Sequence, residues 1–227
     1  MKKLLIILFL LPTILSNAQE AFFRGNNNYV APPLPVDPSS PVIIGTQQWM
    51  RQNLDIATYR NGDVIPQVTD PAAWSNLTTG AWCYYNNDPA NGAIYGKLYN
   101  WYAVNDQRGL APNGYHIPSD SEWTNLISCL GGVTVAGGAM KESSTINWVS
   151  PNTGATNSSG FTGIPGGYNH YGFNDIGIRG YWWTSSEYIS QGGVDYGKFY
   201  ALYNFIASAD YSYTFKTRGY SVRCIKD

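Results

Sequence analysis

The chain has 227 residues, 14 basic and 15 acidic side chains, a net charge of −1, and fewer charged residues (13%) than aromatic ones (15%). No basic patch or stripe is visible, so the electrostatic footprint of a nucleic-acid binder is missing. Three cysteines allow one bridge at most and never stand as C-x-x-C, which excludes both a dense disulfide framework and the common structural zinc site.

At the start of the chain, Lys2 and Lys3 precede an apolar run, Leu4 to Leu11, much shorter than the roughly 20 residues that cross a bilayer. Ser16-Asn17-Ala18 then puts small residues where a signal peptidase reads, so residues 1–18 are expected to be a signal peptide cleaved after Ala18. No cysteine follows to carry a lipid anchor, and losing the two lysines takes the net charge from −1 to −3. The mature chain is expected in the periplasm or outside the cell, with no membrane span after signal removal. Residues 19–41 carry Asn26, Asn27 and Asn28, then Pro32, Pro33, Pro35, Pro38 and Pro41, the composition of an extended linker.

From Val42 onward the pattern is one of short strands and turns, and residues 42–227 read as one domain, large enough to bury a core. Val42-Ile43-Ile44 and Gln47-Gln48-Trp49-Met50 predict a hairpin around Gly45-Thr46, and Asn61-Gly62 predicts a tight turn. Apolar residues at 94, 98, 101 and 102 predict a helix within Ala93–Val104, weakened by Gly96. A stronger helix follows: Ser119 stands three residues before Glu122, the spacing of a capping box. Trp123, Leu126, Ile127 and Leu130 then recur at helical period until Gly131-Gly132. Asp120 and Glu122 read as cap and dipole partners, not as a general acid and base. Cys129 is expected buried on the apolar face of that helix. Cys83 and Cys224 fall in predicted strands and are the preferred disulfide pair. Many of the 24 glycines separate aromatic runs, as at Gly163, Gly166, Gly167, Gly172, Gly177 and Gly180, which favours many short strands. The expected class is α+β: small twisted antiparallel sheets, about two helices and long irregular loops. The chain ends at its last predicted strand, with no sorting extension expected.

Catalytic patterns are scarce. His116 and His170 are the only histidines, which excludes H-E-x-x-H, and no G-x-S-x-G elbow exists to present a nucleophilic serine. His116 reads as a packing or hydrogen-bonding residue. Asp175 and Glu187 are the acids on which a glycoside hydrolase would have to rest. Asn86-Asn87-Asp88 and Asn174-Asp175 offer oxygens that suit a structural calcium ion, and equally suit turns; no other cofactor is expected. Tyr188, Tyr196, Tyr200, Tyr203, Tyr211 and Tyr213 lie among polar residues, a composition used by adaptable binding surfaces. The candidate ligand-binding residues are Asn169, His170, Asn174, Asp175, Tyr196 and Tyr200.

Several ordered segments resemble one family, the Fibrobacter succinogenes major paralogous domain found in surface and secreted proteins of Fibrobacteres and Bacteroidetes. They include Ile44-Gly45-Thr46-Gln47-Gln48-Trp49-Met50, Trp82-Cys83-Tyr84-Tyr85-Asn86-Asn87-Asp88 and Tyr95-Gly96-Lys97-Leu98-Tyr99-Asn100-Trp101. Gly114-Tyr115-His116-Ile117-Pro118-Ser119-Asp120-Ser121-Glu122-Trp123, Gly180-Tyr181-Trp182-Trp183-Thr184-Ser185-Ser186-Glu187 and Gly219-Tyr220-Ser221-Val222-Arg223-Cys224 continue the set. More distantly, the capped-helix segment is similar to the C-type-lectin-like fold and its formylglycine-generating branch. That similarity implies helices beside a small twisted sheet, a C-terminal strand paired back near the first hairpin, and loops that carry any site. The chain departs from both. Ala111 precedes Pro112 where family members often have cysteine. The late cysteine pair of the formylglycine-generating enzymes is missing, and no Glu-Pro-Asn or Trp-Asn-Asp triplet coordinates calcium-bound sugar. The function expected is a non-enzymatic secreted or cell-surface domain that recognises a glycan or an extracellular protein. A carbohydrate-active hydrolase and a purely structural module of an extracellular assembly are the alternatives.

Overall fold

The structure, a computed structural model, describes residues 40–193 and 195–227. The expected signal peptide, with its cleavage site at Ala18, and nearly all of the expected 19–41 linker lie outside the described residues. In chain order, β1 (Val42–Ile44) and β2 (Gln47–Trp49) are followed by α1 (Pro71–Ser75), β3 (Trp82–Cys83), α2 (Pro89–Tyr95), β4 (Leu98–Tyr99), α3 (Trp101–Val104) and β5 (Tyr115–His116). Next come α4 (Asp120–Cys129), α5 (Val133–Met140), β6 (Gly166–Asn169) and β7 (Phe173–Ile176). The long strands β8 (Arg179–Ile189), β9 (Asp195–Tyr203) and β10 (Ala209–Phe215) precede the short β11 (Ile225–Lys226). This is a mixed α and β architecture built from several small antiparallel sheets.

The first hairpin forms as its turn residues predict, with Val42 opposite Trp49. Strand β11 adds to the free edge of β2, Ile225 opposite Trp49, and also pairs with β5, so the four-stranded sheet runs β1-β2-β11-β5. The last strand of the domain therefore closes on the first hairpin, through β2. A second sheet runs β10-β9-β8, and β3-β4 and β6-β7 are two-stranded.

Two helices were expected and five α-helices are present among the described residues. The helix expected over Ala93–Val104 is broken into α2, β4 and α3. Asp88 starts α2 early by accepting from Ala90 N, with Pro89 at the first helical position. Gly96 then ends it at φ +72, where a Cβ would stand 2.8 Å from the Leu54 carbonyl oxygen. Asn100 starts a fresh turn by accepting from Ala103 N at 3.1 Å. Local caps override the apolar periodicity here. In α4 the signals agree with each other: the Ser119 and Glu122 capping box is complete, and Trp123, Leu126 and Ile127 are buried.

All eight tryptophans are buried, and seven of them donate their indole N–H. Five of those bonds end on backbone carbonyls: Trp74 on Thr217, Trp82 on Ile65, Trp101 on Thr184, Trp148 on Gly163 and Trp183 on Tyr99. A large ring fills the core while its one polar atom ties that core to backbone elsewhere in the fold. Trp123 is the exception; its Nε1 has no partner, and its ring instead stacks on Tyr200 at 5.0 Å.

The cysteine expectations are corrected. Cys83 and Cys224 are buried and free, with Cys83 packed in a cluster with Trp74 and Leu98, and Cys224 in another with Trp101 and Val222. Burial pushes both thiols up to about 12. Cys129 is exposed, not buried, because it lies on the flank of the α4 stripe centred on Trp123, Leu126 and Ile127.

Candidate functional site

The β10-β9-β8 sheet is covered on both faces over part of its length. One face carries Phe199 and Ala201 into the core around Trp101, Trp183 and Tyr220. The other carries Tyr200, Leu202 and Ala209 under α4 and α5. Period-two alternation then leads this second face out from under the helix: Tyr211 opposes Tyr200, Tyr213 opposes Lys198, and Phe215 opposes Tyr196, which in turn opposes Tyr188. The boundary is marked by Asp120 at the start of α4, which accepts from Lys198 Nζ at 2.8 Å and from the Tyr200 hydroxyl at 3.1 Å.

Beyond that boundary lies a strip of rings. Tyr188 stacks on Tyr213 with centroids 4.0 Å apart, and Tyr196 stands 5.4 Å from both Tyr213 and Phe215. Phe215 lies parallel to His170 at 6.5 Å, and Tyr171 packs edge-on against His170 at 4.1 Å. The rings support one another and remain open to solvent, with Tyr171 at 74%, Phe215 at 52% and Tyr213 at 48% exposure. Burial, and then the Arg218 charge, push the His170 imidazole below its ordinary value, so the ring in the strip is neutral at pH 7. The Tyr213 phenol is held above its ordinary value by the neighbouring Tyr188 oxygen.

Of the six candidate binding residues, His170 and Tyr196 belong to this strip. Tyr200 is buried beneath α4, and burial pushes its phenol up to about 12. Asn169 is buried too, its backbone paired with Gly219 and its Nδ2 donating to the Cys83 sulfur at 3.4 Å. Asn174 is exposed in the β6-β7 hairpin and donates to the Gly172 carbonyl. Asp175, at φ +67, accepts from Arg179 at 3.0 Å and from the Tyr181 hydroxyl at 2.7 Å. The strip thus draws on Tyr188 and Tyr213 from the tyrosine cluster and adds Tyr171 and Phe215. Phe215 was legible as the third member of the alternating series Tyr211, Tyr213, Phe215. Tyr171 had no sequence signal, since it depends on how the β6-β7 turn meets β10.

The oxygen-rich segments serve the fold in part, although Asn87 Oδ1 is buried without a partner. Asp88 caps α2, and Asn87 Nδ2 donates to the Thr69 carbonyl. Among the described residues, no group of three or more His, Cys, Asp or Glu is placed to hold a metal ion. Glu187 accepts from Lys216 at 2.9 Å, and that ammonium also lies 4.6 Å over the Trp101 ring. No helix among the described residues is long and apolar enough to cross a membrane.

Sheet and strip together define a class: a mixed α and β domain of small antiparallel sheets that leaves one half of a strand face as an open aromatic platform. The chain belongs to the Fibrobacter succinogenes major domain family, whose family model matches residues 42–226. No curated protein and no solved structure matches it.

Proposed function

We propose that this is an exported, non-enzymatic recognition domain that binds a glycan through the platform of Tyr188, Tyr196, Tyr213, Phe215 and His170. The observation that carries the reading is the ordered, mutually stacked and solvent-open set of rings, on a sheet whose β8 and β9 strands send their opposite face into the core. Flat rings with rigid positions offer contact area to a sugar's C–H face at small entropic cost, and the tyrosine hydroxyls supply polar contacts at the rim. The closure of β11 on the first hairpin and the capped α4 support a C-type-lectin-like relationship. The export signal at residues 1–18 supports a site of action outside the cytoplasm. The engagement of Glu187 by Lys216, and of Asp175 by Arg179 and Tyr181, supports this reading over the hydrolase alternative.

A glycan array probed with the mature chain tests this, paired with a pull-down against extracellular protein. Tyr213→Ala and Phe215→Ala should each weaken glycan binding by about five-fold, from roughly 1 kcal/mol of lost ring contact, while leaving the unfolding midpoint nearly unchanged. Binding to protein alone would transfer the platform to a protein partner, and binding to neither would remove the recognition reading in favour of a structural module.

A further inference from the structure

A second site lies away from the platform rings, in a pocket of about 180 Å³ walled by Arg51, Asn53, Asp55, Ile94, Thr162 and Arg223 among others. That volume is below the roughly 300 Å³ at which pockets for drug-sized ligands begin, so it suits one functional group and not an extended molecule. Its walls are unusually short of negative charge. Arg223 is fully buried, lies 4.1 Å over the Phe161 ring, and donates only to neutral acceptors: the Phe161 carbonyl, Asn53 Oδ1 at 2.8 Å and the Thr162 carbonyl at 3.5 Å. Its Nε has no partner. Arg51, half-buried beside it, donates Nη1 to the Gly160 carbonyl at 3.0 Å and likewise leaves a buried Nε without a partner. Among the described residues no carboxylate comes within 4.0 Å of either guanidinium. The one acid on the rim, Asp55, is taken by Lys97 at 2.5 Å.

Two cations in one small pocket, one of them fully desolvated, leave a positive field that the protein does not neutralise. Burial pushes the Arg223 guanidinium below its ordinary range, against a smaller opposing effect of Cys224. We propose that the pocket binds a carboxylate, with Arg51 in contact and Arg223 contributing its field from beneath. A carboxylate fits better than a dianion such as sulfate or phosphate, because the cost of stripping water from an ion in so small a pocket grows with the square of its charge, whereas the attraction to the two arginines grows only in proportion to it. The source assigned is a uronic acid residue, and for that assignment alone the proposal rests on the glycan reading.

The test uses the mature chain titrated with sodium glucuronate, glucose, inorganic sulfate and the dipeptide alanyl-alanine at matched ionic strength, followed by calorimetry and thermal shift. Glucuronate should bind saturably and raise the melting temperature, glucose should do neither, and sulfate should bind at least several-fold more weakly. Arg51→Gln should weaken glucuronate binding ten-fold or more, and Arg51→Lys, which keeps the charge, should retain part of it. Equal responses to glucuronate and glucose, or wild-type affinity in a folded Arg51→Gln chain, would overturn the pocket's assignment. Tighter binding of sulfate would overturn the choice of carboxylate, and binding of the dipeptide in place of glucuronate would overturn the sugar source. Should the mature chain fail on neutral glycans yet bind glucuronate, the platform reading falls and the pocket stands.

Discussion

Asn53 uses every hydrogen-bonding position of its side chain. Its Nδ2 donates to the Tyr95 carbonyl at 2.9 Å and to Ser221 Oγ at 3.3 Å, while its Oδ1 accepts from Trp182 Nε1 and Arg223 Nη2, both at 2.8 Å. The residue is buried, so none of these partners can fall back on water. Asn53→Leu would keep the volume and strand an indole N–H, a guanidinium edge and a carbonyl at once. We expect a loss of about 3 kcal/mol or more, read as a lower urea midpoint at unchanged slope. Asn53→Asp should cost less, because the new carboxylate still accepts from Trp182 and gives Arg223 the counter-charge it lacks; a larger loss than for Asn53→Leu would refute that account. Nothing local in Gln52-Asn53-Leu54 announces this role. Its side-chain partners lie 42, 129, 168 and 170 residues away, and only the fold brings them together. The stranded guanidiniums of Arg51 and Arg223 were illegible for the same reason. The ring series Tyr211, Tyr213 and Phe215 was legible because it repeats at period two within one strand.

At the scale of the element, α4 shows why some structure can be read from a short stretch. Its start is determined within four residues: Glu122 Oε2 accepts from Ser119 N at 2.7 Å, and Ser119 Oγ accepts from Glu122 N. The broken segment from α2 to α3 also has local caps, at Asp88 and Asn100, and these divide what apolar spacing alone would merge. The α4 cap has a long-range extension as well. His116 Nε2 and Glu122 Oε1 are 2.8 Å apart, and His116 Nδ1 lies 2.8 Å from Asp227, so one imidazole joins β5, the helix start and the end of the chain. Burial works to depress His116, and the two carboxylates outweigh it, so its pKa is raised; burial likewise opposes Glu122, and the Ser119 N–H and His116 outweigh it, so that pKa is lowered. The raised imidazole contributes stability that is complete below its unfolded value of about 6.5 and fades as pH climbs through the folded value. The lowered carboxylate contributes stability that is complete above its unfolded value and fades as pH falls through the folded one. Because His116 is 41% exposed, solvent screening holds the ion-pair contribution to about 1 kcal/mol or less. The difference in unfolding free energy between wild type and His116→Gln should therefore be larger at pH 6 than at pH 8, and a difference that does not change with pH would show that the ring is not charged in the folded state.

Over the whole molecule, the question is what replaces the expected Cys83–Cys224 disulfide. The sequence predicts two cysteines in strands and an oxidising destination, and both expectations are compatible with a bridge; neither says which core cluster each strand enters. Cys83 and Cys224 end in separate clusters, and the tryptophans take over the cross-linking, since each indole that reaches a distant carbonyl fixes loop to core without a covalent bond. Trp74 reaches 143 residues along the chain to Thr217, and Trp183 reaches 84 to Tyr99. Such closures resemble a bridge in connectivity, but they form and break with the fold and add no constraint to the unfolded chain. Two consequences separate this from a disulfide-stabilised domain. A reductant should leave the melting temperature unchanged, whereas a native bridge would typically be worth 2–4 kcal/mol. A thiol reagent at neutral pH should titrate one cysteine quickly in the folded chain, the exposed Cys129, and all three only in denaturant, because burial keeps Cys83 and Cys224 both protonated and out of reach. Reaction of a single thiol even in denaturant without reductant would mean that the other two had been joined after all. Because Cys83 and Cys224 fill separate clusters, joining them would require the packing around Trp74 and Trp101 to shift, so the count of reactive thiols also tests whether the tryptophan-built core is the one this chain adopts.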